Sequence, residues 1–585
     1  LLPFQYEKIN ALLMMISCRS IVFFLFLLFA VSPSGAQQVY LDVVAGGSTP
    51  EHPAIGQVEG MYPDTATIHS RLHQSLLDFY SVGYLAASYD SLGYLRDTVK
   101  AYLHVGPQYR WGSLKLVATN EQVAAMLPRP SGQSGNSVIN LERFRIYQEQ
   151  LLRYLENNGY PFASVQLSQV RETPGDTIHG ALTVHTGKRY VIDSIMIKGK
   201  EPVDQRFLYP YLGLFPGMVY DESRLSALPQ KIENLSFLRE IRDFELEFSD
   251  SNRVHLFLYL ERAEGHQAEG ALGFLPAENG SIRFTGQVDL HLINMFRRGE
   301  SLEANWSNPE PYTQELQMQV DLPYLLFRRF GLDGTFELYK QDTTYLNRKA
   351  RIGFPFHLDG RSRIEVFADF EASSVVAKSA ESVGLYGNFR SSLYGLRYLQ
   401  DQRDYRLNPS RGWKIDLYAS AGQRRGEPDE KAMTSAEVGL EGSWFIPLYR
   451  SWVFHVSNET RYRKSWKDRE TVAVRENGLF RFGGFGSLRG FDDHALRASM
   501  YSLISLEVKY MLSKNSHAYL FFDGAWYRKN TPLQQLTDWP YGFGLGGHID
   551  SGMGIFYISY ALGHQFDQSI RLGDARIHLG YVSKF

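Results

Sequence analysis

Residues 483–491 read GGFGSLRGF, with one arginine, Arg489, set between Leu488 and the pair Gly490–Phe491. Three readings are open: a flexible loop, a phosphate-binding turn, or a loop that holds one cation in one place. A guanidinium stays charged, and its planar fork can engage a carboxylate through two parallel bonds. Gly490 permits a positive φ or a close backbone approach. The glycine spacing fits neither a dinucleotide fingerprint nor a P-loop. A second run, GFGLGG at 542–547, satisfies G-x-G-x-x-G formally. That fingerprint needs a helix after it, with the pyrophosphate at the helix N-terminus. Here IFYISYALG follows and reads as a strand, so these glycines are expected to relieve crowding in a strongly bent sheet.

No other constellation suggests catalysis. The chain has no H-E-x-x-H run and no paired-cysteine metal spacing, and its 16 histidines are scattered. His291 and His578 fall on the polar faces of alternating runs and read as wall residues rather than ligands. The net charge of -2 gives no basic excess to bind nucleic acid. The expectation is a protein without enzymatic activity, cofactor or metal.

The elements that must position Arg489 begin with an export signal. Arg19 precedes the apolar run Ile21–Val31, which suits a signal core and is too short to span a bilayer. Ser34 and Ala36 supply the small residues of a cleavage site, with cleavage expected after Ala36. Residues ahead of Met14 read as upstream sequence. The only cysteine, Cys18, precedes the apolar core, which argues against lipidation and leaves the mature chain without a disulfide or thiolate. No later stretch reaches about 18 consecutive apolar residues.

Two rhythms follow. In the first, VGPQYRWGSLKL (105–116) aligns with TGKRYVIDSIMI (186–197), matching Gly106 with Gly187, Tyr109 with Tyr190 and Ser113 with Ser194, about 81 residues apart. Leu141, Phe144, Tyr147, Leu151 and Leu155 recur at helical spacing before Gly159, and a strand follows. LLDFYSVGYLAASYD (76–90) repeats the helix, Gly-Tyr and strand. A third stretch places helices near 222–234 and strands at 244–248 and 254–260. These patterns predict three βααββ units, at 37–110, 111–189 and 190–264. From 265 the period becomes two. Ile282, Phe284, Val288, Leu290 and Leu292 share one face; Arg283, Thr285, Gln287, Asp289 and His291 share the other. Roughly sixteen such runs of about 10–12 residues reach residue 585, the pattern of a transmembrane barrel. A soluble sandwich also alternates, but its strands are usually about 5–6 residues. Lipid offers no hydrogen-bond partner, so the sheet must close. The fold class expected is α+β soluble repeats followed by an all-β barrel of sixteen strands over 265–585.

This layout resembles the outer-membrane protein insertase superfamily, which includes BamA, TamA and the two-partner-secretion translocators. Its soluble units are POTRA domains, and ENNGYPFASV (156–165) resembles their helix-to-strand signature. GGFGSLRGF resembles the family's Arg-Gly-Phe/Tyr motif in the long loop between the eleventh and twelfth strands, expected here at 465–498. DQRDYRLNPSRGW (401–413) resembles its Asn-Pro-x-Arg-Gly segment through Asp404, Asn408, Pro409, Arg411 and Gly412. LFFDGAWY (520–527) resembles its Phe-x-Asp-x-Gly strand, with the glycine one place early at Gly524. YSLISLEVKY supplies an acidic residue, Glu507, on the preceding strand. Arg489 alone could be a solvated loop residue. The resemblance implies instead that the loop enters the lumen, where Arg489 pairs with Glu507 or Asp523 and Phe491 packs on the wall.

The terminal run ARIHLGYVSKF puts Ile577, Leu579, Tyr581 and Phe585 on one face and resembles the family's C-terminal signal, with Ser583 where an aromatic is usual. The first strand, near AEGALGF (268–274), is expected to be short, and it carries Gly270, Ala271 and Gly273. A poorly paired seam there could open sideways and offer its edge to an incoming strand. The implied partners are the outer-membrane bilayer, unfolded client barrel proteins, and a periplasmic or inner-membrane protein bound through the POTRA units. Three soluble units look most like TamA. A BamA-type general insertase and a two-partner-secretion translocator are the alternatives, although residues 37–60 do not read as a translocator's plug helix.

Overall fold

A computed structural model describes residues 38–46, 58–129, 135–199, 203–263, 265–276, 282–308, 313–326, 329–376, 382–426, 431–551, 554–566 and 570–584. The predicted signal segment 1–36 and Phe585 lie outside the described residues. The chain forms two compact units, Leu1–Arg189 and Tyr190–Phe585.

The first unit holds two four-stranded sheets. In one, Val39–Ala45 runs parallel to Thr98–His104, with Gly60–Tyr62 and Ser88–Leu95 at the edges. Helix Thr65–Ser81 buries Ile68, Leu72 and Phe79 against this sheet's core, and the Asp64 side chain caps its N-terminus. It is the only helix among the described residues of this sheet's segment, where two were expected. In the other sheet, Arg110–Ala118 runs parallel to Thr177–His185. Helix Leu141–Glu156 begins at Asn140, whose side-chain oxygen accepts from the Arg143 amide at 2.8 Å, and it buries Phe144, Tyr147, Leu151 and Leu155. Leu141, expected on the same face, lies exposed in the first turn. Gly159 follows with φ 100°.

The second unit opens with a three-stranded sheet, Val191–Lys198 parallel to Arg253–Arg262 and Leu238–Phe248 at the edge. The strands expected at 244–248 and 254–260 are longer, Leu238–Phe248 and Arg253–Arg262. Glu222–Ser226 and Leu228–Glu233 are helical, and so is Gln205–Leu212, which the sequence reading missed because Pro210 interrupts its pattern. The matched repeat positions do matching work. Ser113 Oγ lies 2.9 Å from His179 Nδ1, and Ser194 Oγ lies 2.7 Å from His255 Nδ1, each on the neighbouring parallel strand. Gly106 and Gly187 both adopt positive φ, 70° and 68°.

From Gln267 the chain builds a closed antiparallel barrel. Sixteen strands wind in sequence from Gln267–Pro276 to Arg576–Lys584; two short strands, Glu470–Val472 and Gln535–Asp538, extend it at one rim. Alternation places one face inward. On the twelfth strand, Met500–Met511, the inward residues are Tyr501, Leu503, Ser505, Glu507 and Lys509, all buried. On the thirteenth, His517–Asn530, they include Tyr519, Phe521, Asp523 and Ala525. Exposed Ile504, Leu520 and Phe522 point the other way. The segment joining the eleventh strand, Trp452–Lys467, to the twelfth covers 468–499.

The three-stranded sheet and its helices pack on one end of the barrel. Tyr324, at the end of the fourth strand, belongs to the same apolar core as Phe207 and Leu212. A Cβ at Gly299 would lie 2.1 Å from the Phe207 ring, and one at Gly360 2.5 Å from the Tyr211 carbonyl oxygen. Glycine is what lets these two turns meet the helix Gln205–Leu212.

Candidate functional site: a loop latched inside the barrel

The loop 468–499 folds against the barrel wall. It pairs with itself through Phe480–Phe482 and Leu496–Ala498. Leu488 is wholly buried among Phe482, Tyr501, Ala525 and Tyr527, with Phe491 packed beside them. That apolar seat fixes where Arg489 enters.

Arg489 spans two strands. Its Nε donates to Asp523 Oδ2 at 2.7 Å and its Nη2 to Asp523 Oδ1 at 2.7 Å, a fork on one carboxylate. Nη1 donates to Glu507 Oε1 at 2.7 Å, and Nη2 also reaches Ser505 Oγ at 2.8 Å. The Arg489 amide donates to Asp523 Oδ2 at 3.1 Å, while Ser505 Oγ donates to Oδ1 at 2.5 Å. The guanidinium lies 3.7 Å from the centre of the Phe521 ring. Arg489 is 6% exposed, Glu507 9% and Asp523 0%. Glu507 is held from its other side by His455 Nδ1 at 2.8 Å and Lys509 Nζ at 3.4 Å. The arrangement holds the loop to two adjacent strands at once.

Glycines make room for the latch. Gly490 has φ 92°, and a Cβ there would sit 2.6 Å from the Gly563 nitrogen. A Cβ at Gly542 would sit 1.9 Å from the Arg489 carbonyl oxygen, and one at Gly563 2.4 Å from that of Gly490. The 542–547 run therefore does more than relieve a bend. Gly542 admits the loop backbone, and Gly544 and Gly546 admit the rings of Phe521 and Tyr519. Gly524 points outward, away from the latch, and its added Cβ would meet only Phe522, at 3.4 Å.

A second anchor escaped the sequence reading. Asn477 Nδ2 donates to Ser373 Oγ at 2.6 Å and to the Gly387 carbonyl at 2.8 Å. Asn347 Nδ2 donates to the Asn477 carbonyl at 2.6 Å, and Arg463 Nη1 to that of Gly478 at 2.6 Å. The loop is thus tied to the sixth and seventh strands as well as the twelfth and thirteenth. Asn-Gly signals only a turn, and nothing in its spacing names distant partners.

The Asn-Pro-x-Arg-Gly segment lies elsewhere, in the turn between the eighth and ninth strands at the end that meets the three-stranded sheet. Asp404 Oδ1 accepts from the Ser410 amide at 3.0 Å, and Asn408 Nδ2 donates to the Lys514 carbonyl at 3.2 Å. Gly412 has φ 104°, and a Cβ there would lie 2.2 Å from the Gln402 carbonyl oxygen. The Arg411 carbonyl accepts from the Asp404 amide at 3.0 Å, and Pro409 sits inside this turn. Gln230 Nε2 donates to the Asp404 carbonyl at 3.3 Å, and Lys514 pairs with Glu233. This turn joins sheet to barrel, remote from Arg489.

At the seam, the first strand shares ten register pairs with the second, Gln267↔His291 to Pro276↔Ile282. With the last strand it shares, among the described residues, two, Gln267↔Lys584 and Ala268↔Ser583. Gly270, Ala271 and Gly273 pair only with the second strand, and Leu579 and Tyr581 only with the fifteenth. The first strand has ten residues, against nine in the last, so its length is not what weakens the seam. His291 lies 3.8 Å from Glu303, and His578 packs beside Phe485. Among the described residues, no three His, Cys, Asp or Glu side chains are grouped to hold a metal ion, and no helix is long and apolar enough to cross a membrane.

α/β sheets followed by a closed sixteen-stranded barrel, with an arginine-latched loop folded against its inner wall, define the class of fold. Residues 279–581, more than half the chain, match the Omp85 superfamily domain, and the chain belongs to that superfamily. Of solved structures, CdiB from Acinetobacter baumannii is 14% identical with a TM-score of 0.50, over 92% of this chain and 100% of that one. CdiB from Escherichia coli is 14% identical with a TM-score of 0.50, over 89% and 97%. BamA from Haemophilus ducreyi lacking POTRA domains 1–3 is 15% identical with a TM-score of 0.43, over 82% and 100%. No curated protein matches. Membership places the chain in insertion of proteins into the outer membrane or their secretion across it.

Proposed function

We propose that this protein is a TamA-like assembly factor that inserts or exports client barrel proteins through the seam between its first and last strands. The observation that carries this is the contrast of two register pairs at that seam with ten between the first and second strands. Among the described residues, most of the first strand's outer edge has no ladder partner, which suits it to accept a client strand. The client's own strand pairing and burial in lipid supply the driving force, so no nucleotide is required. Arg489, paired with Glu507 and Asp523, fixes the inner loop while the seam works. Leu488, Gly490 and Phe491 seat the latch. The three α/β units, taken as domains 37–110, 111–189 and 190–264, offer open sheet edges to clients or to a periplasmic or inner-membrane partner. The turn at Asp404–Gly412 keeps the third unit at the barrel's mouth.

Depletion of the protein followed by proteomics of the outer membrane tests this. Loss of a restricted set of barrel proteins is the expected result. Collapse of the whole barrel population would assign a BamA-type general insertase instead, and loss of a single secreted protein a two-partner-secretion translocator.

A further inference from the structure

The sparsely paired seam is bridged by side chains. Glu269 on the first strand accepts a hydrogen bond from the Tyr557 hydroxyl at 2.7 Å. Tyr557 is not on the last strand but on the fifteenth, Gly554–His564, so the bond passes over the last strand. It crosses at Gly580, the register partner of Tyr557, where a Cβ would sit 1.9 Å from the tyrosine ring. The ring is also held from the lumen. Phe485, within the glycine run of the inner loop, stacks on Tyr557 with centroids 5.1 Å apart and planes at 17°, and it touches His578 of the last strand at 5.4 Å. Nearby, Arg576 of the last strand meets Asp492 of the loop at 2.8 Å. A cavity of about 630 Å³, lined by Phe485, Tyr557, Ile577, His578, Leu579 and Gln287, lies between loop and seam.

We propose that Tyr557 and Glu269 form a clasp that holds the seam shut, and that Phe485 sets the clasp by positioning the Tyr557 ring. A two-pair backbone ladder leaves closure to side chains, and a hydrogen bond to a charged acceptor is among the stronger ones available. Because Phe485 and Arg489 share one short loop segment, displacement of the latch removes the stacking partner of Tyr557 and releases Glu269. Tyr557 and Phe485 are positioning residues for strand exchange; they contact no client. The proposal rests on the seam reading above.

Amide hydrogen exchange on the purified full-length mature protein in lipid nanodiscs tests it, with Tyr557→Phe and Phe485→Ala as variants. Tyr557→Phe keeps the ring and removes only the donor. Exchange in peptides covering 265–272 and 576–584 is expected to be about tenfold faster in both variants, from the loss of one charge-assisted bond. Exchange in the fifth to ninth strands and heat-modifiability should stay as in the wild type. A change that merely loosened the barrel would speed those strands too. Should Tyr557→Phe fail to insert, Glu269→Ala tests the same bond from the other side. Wild-type exchange at the seam in Tyr557→Phe overturns the clasp, and wild-type exchange in Phe485→Ala overturns the loop's part in it. The measurement involves no client, so it fails or succeeds separately from the seam's role in insertion.

Discussion

Arg489 neutralises two carboxylates on two adjacent strands, and all three groups are nearly out of solvent. Removing one partner of a buried pair costs about 3–5 kcal/mol, less where lumenal water reaches it. Arg489→Ala should therefore lose heat-modifiability or assembly activity, read on unboiled gels and by client insertion; wild-type behaviour in both would contradict the latch. Arg489→Lys should recover only part, because an ammonium cannot fork onto Asp523 while reaching Glu507. The glycines make a paired prediction. Gly490→Ala is strained at φ 92° and collides with the Gly563 backbone, so it should match Arg489→Ala on the same gel, whereas Gly524→Ala should insert normally. Equal effects of the two would refute this account of the loop's seat. Glu507 and Asp523 entered the reading only through the resemblance to the family, whose motifs carry an acidic residue on each of these two strands. The roles of Gly542 and Gly563 were not legible, because a glycine's partner is backbone from a distant segment, and sequence carries no trace of it.

At the scale of elements, the inner loop has two anchors on different walls. Asn477 uses its amide and carbonyl groups on the sixth to eighth strand region, and it is 2% exposed. Asn477→Ala should leave the Arg489 latch in place but free one end of the loop. Planar-bilayer recordings should then show larger or more frequent conductance fluctuations with unchanged heat-modifiability, and wild-type recordings would remove Asn477 from the loop's restraint. The contrast between strands and loop explains what the sequence revealed. Barrel strands obey a period of two because lipid and lumen demand opposite chemistry on alternate residues. Helix Leu141–Glu156 shows its period of 3.6 for a similar reason. The loop has no period, its ribbon of Phe480–Phe482 and Leu496–Ala498 is only three residues a side, and Gln205–Leu212 hid behind Pro210.

At the scale of the molecule, the barrel is a continuous sheet except where its ends meet. Long ladders join the other strands, and the third α/β sheet is packed onto one end of the barrel through Tyr324, Gly299 and Gly360. Among the described residues, the seam carries the fewest register pairs of any junction between the sixteen strands. The mature chain predicted from its sequence has no cysteine, so Ala268→Cys with Ser583→Cys places a single disulfide across one of the two register pairs. The decisive measurement is client insertion by this variant, oxidised and then reduced, in reconstituted proteoliposomes. The oxidised protein should be inactive and the reduced protein should regain wild-type insertion. Full insertion by the oxidised, quantitatively cross-linked protein would contradict a lateral gate at this seam.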